Sequence, residues 1–171
     1  MDGLGFHDCF FKTPKVLGGW RRVQKGYETH AYDQGVGRGL WFASGGNVAF
    51  AANLVSRFEN ARKDDLWSGL ALAITYAGGA EPDELLAIRT SAGGYQAALA
   101  QGALFAAEAR DRGGHVPQHT HDAVRTLTRL DVEAAIAIVR EARARSQGSC
   151  ECDLPRYEMW RRDVQRATAT L

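Results

Sequence analysis

One short glycine pattern recurs along this chain and limits its fold more than any other feature. Four triplets of small and apolar residues follow one another at intervals of 32, 34 and 33 residues: Gly3-Leu4-Gly5, Gly35-Val36-Gly37, Gly69-Leu70-Ala71 and Gly102-Ala103-Leu104. A period of this length is typical of stacked helical hairpins, in which each unit buries its apolar face only against its neighbours. The sequence therefore predicts an array of helix pairs, each with a central helix and a shorter outer one.

The predicted class is all-α, with about eight helices. Apolar residues recur at helical spacing, and no stretch of five or more residues alternates as a half-buried strand would. Paired glycines at 45–46, 78–79, 93–94 and 113–114 mark helix ends, and Asn47 and Asp131 are predicted N-caps. The helices after the first are predicted at 26–44, 47–58, 64–77, 82–92, 95–112, 117–130, 132–145 and from 155, with a polar linker at 146–154.

Length and charge exclude several classes of protein. The 171 residues are enough for a single helical domain with a sizeable core. A net charge of +1 gives no field that would draw the chain to nucleic acid or to an anionic membrane. The most apolar runs, 70–80 and 97–107, are shorter than the about 20 residues that span a bilayer. Three cysteines without a paired framework and the lack of a signal segment favour the cytoplasm.

Glycines in the predicted central helices indicate close packing. Glycine inside a helix lowers stability by about 0.5 to 1 kcal/mol relative to alanine, so Gly35, Gly39 and Gly69 need a compensating gain. Small residues four positions apart form a flat strip that a neighbouring backbone or a ligand can approach closely. Aromatic side chains beside this strip complete a predicted ligand site, whose members are Gly35, Gly39, Trp41, Phe42, Trp67 and Tyr76.

Two pairs of polar residues are candidates for catalysis. His7 and Asp8 lie on the first helix, where a histidine and a carboxylate could act as acid and base. Adjacent helical residues point about 100 degrees apart, so the sequence predicts that these two do not form a dyad by themselves; a histidine satisfied in the core or at an interface is the alternative. Asp33 and Arg38 lie on the second glycine pattern, where a buried ion pair is favoured over a substrate clamp.

No metal or cofactor is predicted. Three pairs of potential ligands lack the further ligands that a site needs: Asp64 with Asp65, His119 with His121, and Cys150 with Cys152. The aspartates are better read as a helix cap, the histidines diverge on a helix, and the cysteines lie in a polar linker. The segment 33–37 has two glycines but no preceding strand, so it does not match a nucleotide-binding loop.

Taken together, the motifs carry a family resemblance. They are Asp2-Gly3-Leu4-Gly5-Phe6-His7, the run 33–42, Asp65-Leu66-Trp67-Ser68-Gly69, Thr75-Tyr76-Ala77-Gly78-Gly79, Leu99-Ala100-Gln101-Gly102 and Tyr157-Glu158-Met159-Trp160-Arg161. In this order they resemble the C-terminal half of a family of unknown function from enediyne polyketide biosynthesis gene clusters. Members of that family are about twice as long, so the resemblance implies that an N-terminal half is absent here.

The resemblance implies an accessory protein of enediyne-type polyketide biosynthesis that binds or transforms a polyunsaturated intermediate by isomerisation or cyclisation. In the enzymatic version, the polar groups of an apolar pocket are His7, Asp8, Asp33 and Arg38. The alternative is a non-catalytic helical scaffold that holds a biosynthetic partner protein. We also expect the first helix, through Phe6, Phe10 and Phe11, to pack against a second copy or a separately encoded N-terminal half.

Overall fold

A computed structural model describes residues 1–22, 25–146 and 154–169. Within them the chain is helical and contains no strand, so the predicted all-α class is confirmed. The α-helices are α1 (Asp2–Phe11), α2 (Thr13–Leu17), α3 (Tyr27–Ala43), α4 (Val48–Ser56), α5 (Asn60–Ala77), α6 (Pro82–Ala92), α7 (Gln96–Arg112), α8 (Gln118–Thr128), α9 (Val132–Ser146) and α10 (Arg156–Thr168). None of these helices is both long and apolar enough to cross a membrane.

Most helix ends lie where the local sequence predicts them. The Asn47 side chain accepts a hydrogen bond of 2.8 Å from the backbone N–H of Phe50, and Asp131 caps α9 in the same way through Ala134, at 2.7 Å. Gly78 ends α5 with a positive φ of 75°, which a side chain would strain. The predicted linker at 146–154 lies largely outside the described residues, and α9 itself continues to Ser146.

Helix α5 begins earlier than predicted. Its first residue is Asn60, whereas the sequence placed the start near Asp64 and Asp65 as a cap. The residues that precede Asp64 are polar and give no helical period, but the Arg62 side chain is buried against Asp33 of α3. That long-range contact holds the extra turn, and Asp65 becomes a buried residue within the helix. The short α2 was not predicted either.

The helices pack as an array. Helices α1, α3, α5, α7 and α9 contact one another in succession, while α4, α6 and α8 form an outer row against them. Gly35 of α3 lies over the α1 backbone between Asp2 and Phe6, and Gly39 lies over Phe6 and Cys9. The two positions advance together along both helices, so α1 and α3 run in the same direction. The final helix, α10, packs on α7 and α9.

Glycines set the spacing of these central helices. A Cβ atom built on Gly35 would lie 1.8 Å from the carbonyl oxygen of Asp2, one on Gly69 would lie 2.0 Å from that of Gln34, and one on Gly102 2.0 Å from that of Ser68. These distances leave no room for any side chain, so the predicted close helix packing at Gly35 and Gly69 is confirmed. At each of these contacts the glycine packs against the backbone of a neighbouring helix. This close packing compensates for the stability that a glycine inside a helix loses relative to alanine.

Candidate functional site

A cleft of about 190 Å³ lies between α1, α3 and α5. We call it the aromatic cleft; its lining residues are Phe6, Arg38, Phe42, Leu72, Ala73, Tyr76 and Ala77. The side chains of Phe42 and Tyr76 are 43% and 42% exposed, which is high for aromatic residues of this size. The cleft therefore presents aromatic rings to whatever enters it, with one cationic group among them.

Aromatic and cationic contacts hold the walls of the aromatic cleft in place. The rings of Phe6 and Phe42 meet edge to face with centroids 5.6 Å apart, and the Arg38 guanidinium lies 5.4 Å from the Phe6 centroid. Arg38 also forms an ion pair of 2.7 Å with Asp2. Burial raises the pKa of Asp2, while the Arg38 charge and hydrogen bond oppose that shift. On the far wall the Arg110 guanidinium stacks 3.9 Å from the Tyr76 centroid.

A chain of hydrogen-bonded polar side chains links α10, α3, α5 and α7. The Tyr157 hydroxyl donates to the Gln34 side-chain oxygen at 3.2 Å, the Gln34 amide donates to Ser68 at 3.1 Å, and the Ser68 hydroxyl donates to Gln101 at 2.7 Å. Gln34, Ser68 and Gln101 each directly precede a packing glycine, so equivalent positions of neighbouring units bond to one another. Burial, followed by the Asp2 charge, raises the pKa of Tyr157 to about 12 and keeps it a hydrogen-bond donor.

A cluster of charged side chains connects α10 to α5 and α3. His30 Nδ1 is 2.8 Å from Asp65 Oδ2, and Arg161 of α10 contacts the other oxygen of Asp65 at 2.5 Å. Arg161 also bonds Glu158 through two nitrogens, at 2.8 and 3.2 Å. Burial raises the pKa of Glu158, but hydrogen bonds and charges from Arg161 and Arg162 outweigh it and leave the pKa below its usual value. The cluster anchors α10 to the array.

The predicted catalytic residues His7 and Asp8 do not line the aromatic cleft. Asp8 is fully buried; Arg22 bonds both its oxygens, at 2.8 and 3.0 Å, and Tyr32 donates to it at 3.2 Å. The hydrogen bond from Arg22 lowers the pKa of Asp8 strongly. His7 Nδ1 does approach Asp8 at 3.3 Å, so the prediction that neighbours on a helix cannot meet was too strict: side-chain torsions bring the two groups together.

Asp33 and Arg38 do not pair with each other. Asp33 is buried and receives hydrogen bonds from Arg62 at 2.7 and 3.0 Å and from Arg21 at 3.0 Å. Arg38 pairs instead with Asp2 of α1. Five residues on a helix turn the side chain by about 140 degrees beyond a full circle, so the two side chains leave α3 on different faces. Of the four predicted catalytic residues, only Arg38 lines this cleft.

The predicted ligand-binding residues are divided between the cleft and the core. Phe42 and Tyr76 line the aromatic cleft. Gly35 and Gly39 are covered by α1, and Trp41 and Trp67 are 3% and 4% exposed. Phe42 and Tyr76, each seven residues after a glycine of the pattern, therefore reach the cleft, whereas Gly35 and Gly39 contact α1. Phe6, Leu72 and the polar chain through Ser68 were not predicted as parts of a site. The sequence signal for the chain is a Gln or Ser directly before Gly35, Gly69 and Gly102.

The other candidate metal ligands that the structure describes contact neighbouring groups of the protein. Within the described ranges no group of three or more His, Cys, Asp and Glu side chains is placed to hold a metal. His119 bonds the backbone oxygen of Tyr76 at 3.1 Å, and Asp64 accepts from Gln165 at 3.2 Å. Burial raises the pKa of the Cys9 thiol to about 12, which keeps it protonated. The Cys150 and Cys152 pair lies outside the described residues.

Comparison with known proteins identifies a family and no activity. A search of curated proteins and a search of solved structures each found no match. The resemblance to a family from enediyne clusters, and to its C-terminal half, stays a prediction. One family model, with the description "Protein of unknown function (DUF1702)", matches residues 1–168. The match covers nearly the entire chain, and the protein therefore belongs to the DUF1702 family.

Proposed function

We propose that this protein binds an apolar, unsaturated small molecule in the aromatic cleft. The observation that carries the proposal is the pair of exposed rings, Phe42 and Tyr76, facing one cleft together with Phe6 and Leu72. Conjugated ligands pack well on aromatic faces, and small-molecule sites combine apolar walls with few polar groups. Arg38 supplies that polar group.

The volume of the cleft suits one segment of a long ligand better than a whole drug-sized molecule. Its volume of about 190 Å³ is below the roughly 300 to 1,000 Å³ of sites that enclose a drug-sized molecule. A linear chain would place one segment between Phe6 and Tyr76 and leave the rest outside the cleft. This shape suits a polyunsaturated chain, in line with the resemblance to proteins of enediyne polyketide biosynthesis.

Binding is better supported than chemistry. Asp8 and Asp33 are each held by arginine side chains in the core, and His7 lies outside the aromatic cleft. A group that transfers protons must reach the reacting atoms, and three of the four predicted catalytic residues do not line the cleft. We therefore propose a protein that shelters or presents an intermediate, with Arg38 orienting its polar end.

A fluorescent tetraene, cis-parinaric acid, provides the test because its emission rises in apolar surroundings. We expect saturable binding to the intact protein and at least a tenfold weaker affinity for Phe42→Ala, since removing one aromatic wall costs about 1.5 kcal/mol or more. The control is Phe50→Ala, which removes an exposed phenylalanine on α4, outside the aromatic cleft. Absence of binding, or equal loss in both variants, would contradict the proposal.

The second candidate function is a scaffold that binds a biosynthetic partner protein. It is favoured by the exposed apolar end of α1, where Phe10 and Phe11 are 46% and 69% exposed. In that case the aromatic cleft is incidental and tetraene binding is absent, while α1 carries the interaction.

A further inference from the structure

The polar group of the aromatic cleft belongs to an ion pair. The Arg38 guanidinium binds Asp2 through two nitrogens: Nε donates to Oδ1 at 3.1 Å, and Nη2 is 2.7 Å from Oδ2. Such a two-point contact is the strongest way in which arginine binds a carboxylate. Both oxygens of Asp2 are therefore engaged, and the two formal charges cancel where the pair borders the cleft.

The ion pair can still donate a hydrogen bond to a ligand. The side chains of Arg38 and Asp2 are 28% and 42% exposed, and Arg38 lines the aromatic cleft. A guanidinium carries five N–H groups, and those of Nη1 have no acceptor among the residues that the structure describes. A bound molecule can therefore accept from Arg38 while the contact with Asp2 stays intact.

A carboxylate ligand would gain little from this pair. An anion that approaches Arg38 also approaches Asp2, and at a few ångströms the repulsion from Asp2 is comparable with the attraction to Arg38. The other residues that line the cleft are apolar or aromatic, so a carboxylate would also lose its hydration without replacement. The carbonyl oxygen of an uncharged group needs only one donor and loses far less hydration.

Two further cations lie near the cleft without lining it. Arg110 stacks on the Tyr76 ring and donates hydrogen bonds through Nε and Nη2 to the Tyr76 backbone oxygen. The amino group of Met1 acts on the Asp2 carboxylate. Neither group is among the lining residues, so the charge preference of the cleft depends chiefly on Arg38 and Asp2.

We propose that the ligand of the aromatic cleft presents an uncharged carbonyl group to Arg38, the chemistry of an ester, and not a free carboxylate. In this arrangement Arg38 donates to the carbonyl oxygen through Nη1. Asp2 holds the guanidinium in position and repels anionic ligands. The inference rests on the proposed ligand binding and adds the chemical class of the group that meets Arg38.

Two ligands with the same tetraene test this preference. cis-Parinaric acid and its methyl ester differ only in the end group, and at about pH 8 the acid is fully ionised. We expect the unmodified protein to bind the ester about fivefold or more tightly than the acid. Equal or tighter binding of the acid overturns this inference alone, whereas failure of both compounds to bind overturns the proposed function as well.

The variant Asp2→Asn separates the effect of the ion pair from that of a generally apolar cleft. The amide keeps the shape of the side chain and an oxygen for Arg38 but removes the negative charge. Affinity for the acid should therefore rise about fivefold or more, while affinity for the ester changes by less than about twofold.

The matched control is Asp83→Asn. Asp83 is an exposed aspartate in the first turn of α6, as Asp2 is in the first turn of α1, and it does not line the cleft. Both ligands should bind this variant as they bind the unmodified protein. An unchanged affinity of Asp2→Asn for the acid, or the same rise in Asp83→Asn, overturns the inference.

A double variant tests whether Arg38 is the source of the gain. Asp2→Asn with Arg38→Met removes both charges, so the acid should lose the affinity that it gained in Asp2→Asn. The ester should bind about threefold or more weakly than to the unmodified protein, because its hydrogen bond is lost. Circular dichroism checks that the variant is folded. Affinity for the acid that stays as high as in Asp2→Asn overturns the role of Arg38.

Discussion

At the scale of single residues, contacts between glycine and carbonyl oxygen fix the distance between central helices. Gly35 of α3 and Gly5 of α1 each face a carbonyl of the other helix, at 1.8 and 1.9 Å from the position of a Cβ. Buried ion pairs add a second constraint, since Asp33 binds Arg62 across α3 and α5. Substitutions at either kind of contact should lower the free energy of unfolding, because neither a helix backbone nor a buried charge can move away without a large energetic cost.

Replacing Gly35 with alanine should separate α1 from α3. The new methyl group would lie 1.8 Å from the Asp2 carbonyl oxygen, so the helices must shift and lose packing, and we expect a loss of about 3 kcal/mol or more in the free energy of unfolding. Gly3→Ala is the control, because it adds the same methyl group at an equivalent position in open space. Urea unfolding at low protein concentration measures both; equal stability of the two variants would contradict this account.

Replacing Asp33 with alanine should destabilise the fold. Arg62 would be left as a buried, unpaired charge, which costs about 3 to 5 kcal/mol. Asp111→Ala removes an exposed carboxylate that pairs with Arg140 and should cost less than about 1 kcal/mol. Denaturant midpoints compare the two. If Asp33→Ala kept full stability, its carboxylate would instead be a candidate for function.

At the scale of secondary-structure elements, α10 covers part of the helical array. It packs on α7 and α9, and its Arg161 and Glu158 connect to Asp65 of α5. Its Trp160 contacts the Phe105 ring at 4.6 Å, so apolar and charged contacts act on the same two turns. His30 of α3 joins this cluster through Asp65, which makes the attachment sensitive to pH.

The contribution of His30 to stability should fall as pH rises. Its hydrogen bond to Asp65 raises the pKa of His30, with burial opposing, while Arg161, Glu158 and Asp65 are the charged groups that face it. The folded protein then binds the proton more tightly, so the added stability is complete below about pH 6.5 and is lost as pH rises through the folded value.

The free energy of unfolding of the unmodified protein should therefore exceed that of His30→Gln most at about pH 5.5 and least at about pH 8.5. Denaturant unfolding over this range measures the difference. His115→Gln, which removes an exposed histidine beyond the end of α7, serves as the control and should give no such trend. A difference in free energy of unfolding that grows with pH would show that folding lowers the pKa of His30, which would contradict the prediction.

At the scale of the whole molecule, the array makes stability depend on position. Helices α3, α5 and α7 have a central helix on each side, whereas α1 has one on a single side. In a linear array each unit is stabilised by its neighbours, so the outermost unit opens most easily.

Amide hydrogen exchange should reveal this gradient. We expect the greatest protection in α5 and clearly lower protection in α1, because α1 can detach while the remaining helices stay packed. Uniform protection along the chain would indicate a single cooperative unit instead.

The sequence by itself determined the helical class, most helix boundaries and the close packing of the central helices. These follow from local rules: Asn47 caps a helix, Gly78 closes one, and Gly35 in a helix interior requires a near neighbour. Phe42 and Tyr76, two residues of the predicted ligand site, both line the aromatic cleft, and their spacing of 34 residues equals one of the intervals between the glycine patterns.

Only the tertiary structure decided which polar groups meet. Asp33 pairs with Arg62 and Arg21 instead of Arg38, and His30 joins Asp65, which the sequence had assigned to a helix cap. Such pairs join residues 12 to 35 positions apart, and their choice depends on helix rotation and register, which sequence spacing alone leaves undetermined. The glycine positions in the sequence determine where helix backbones can approach each other. The packing of the helices then determines which polar side chains pair.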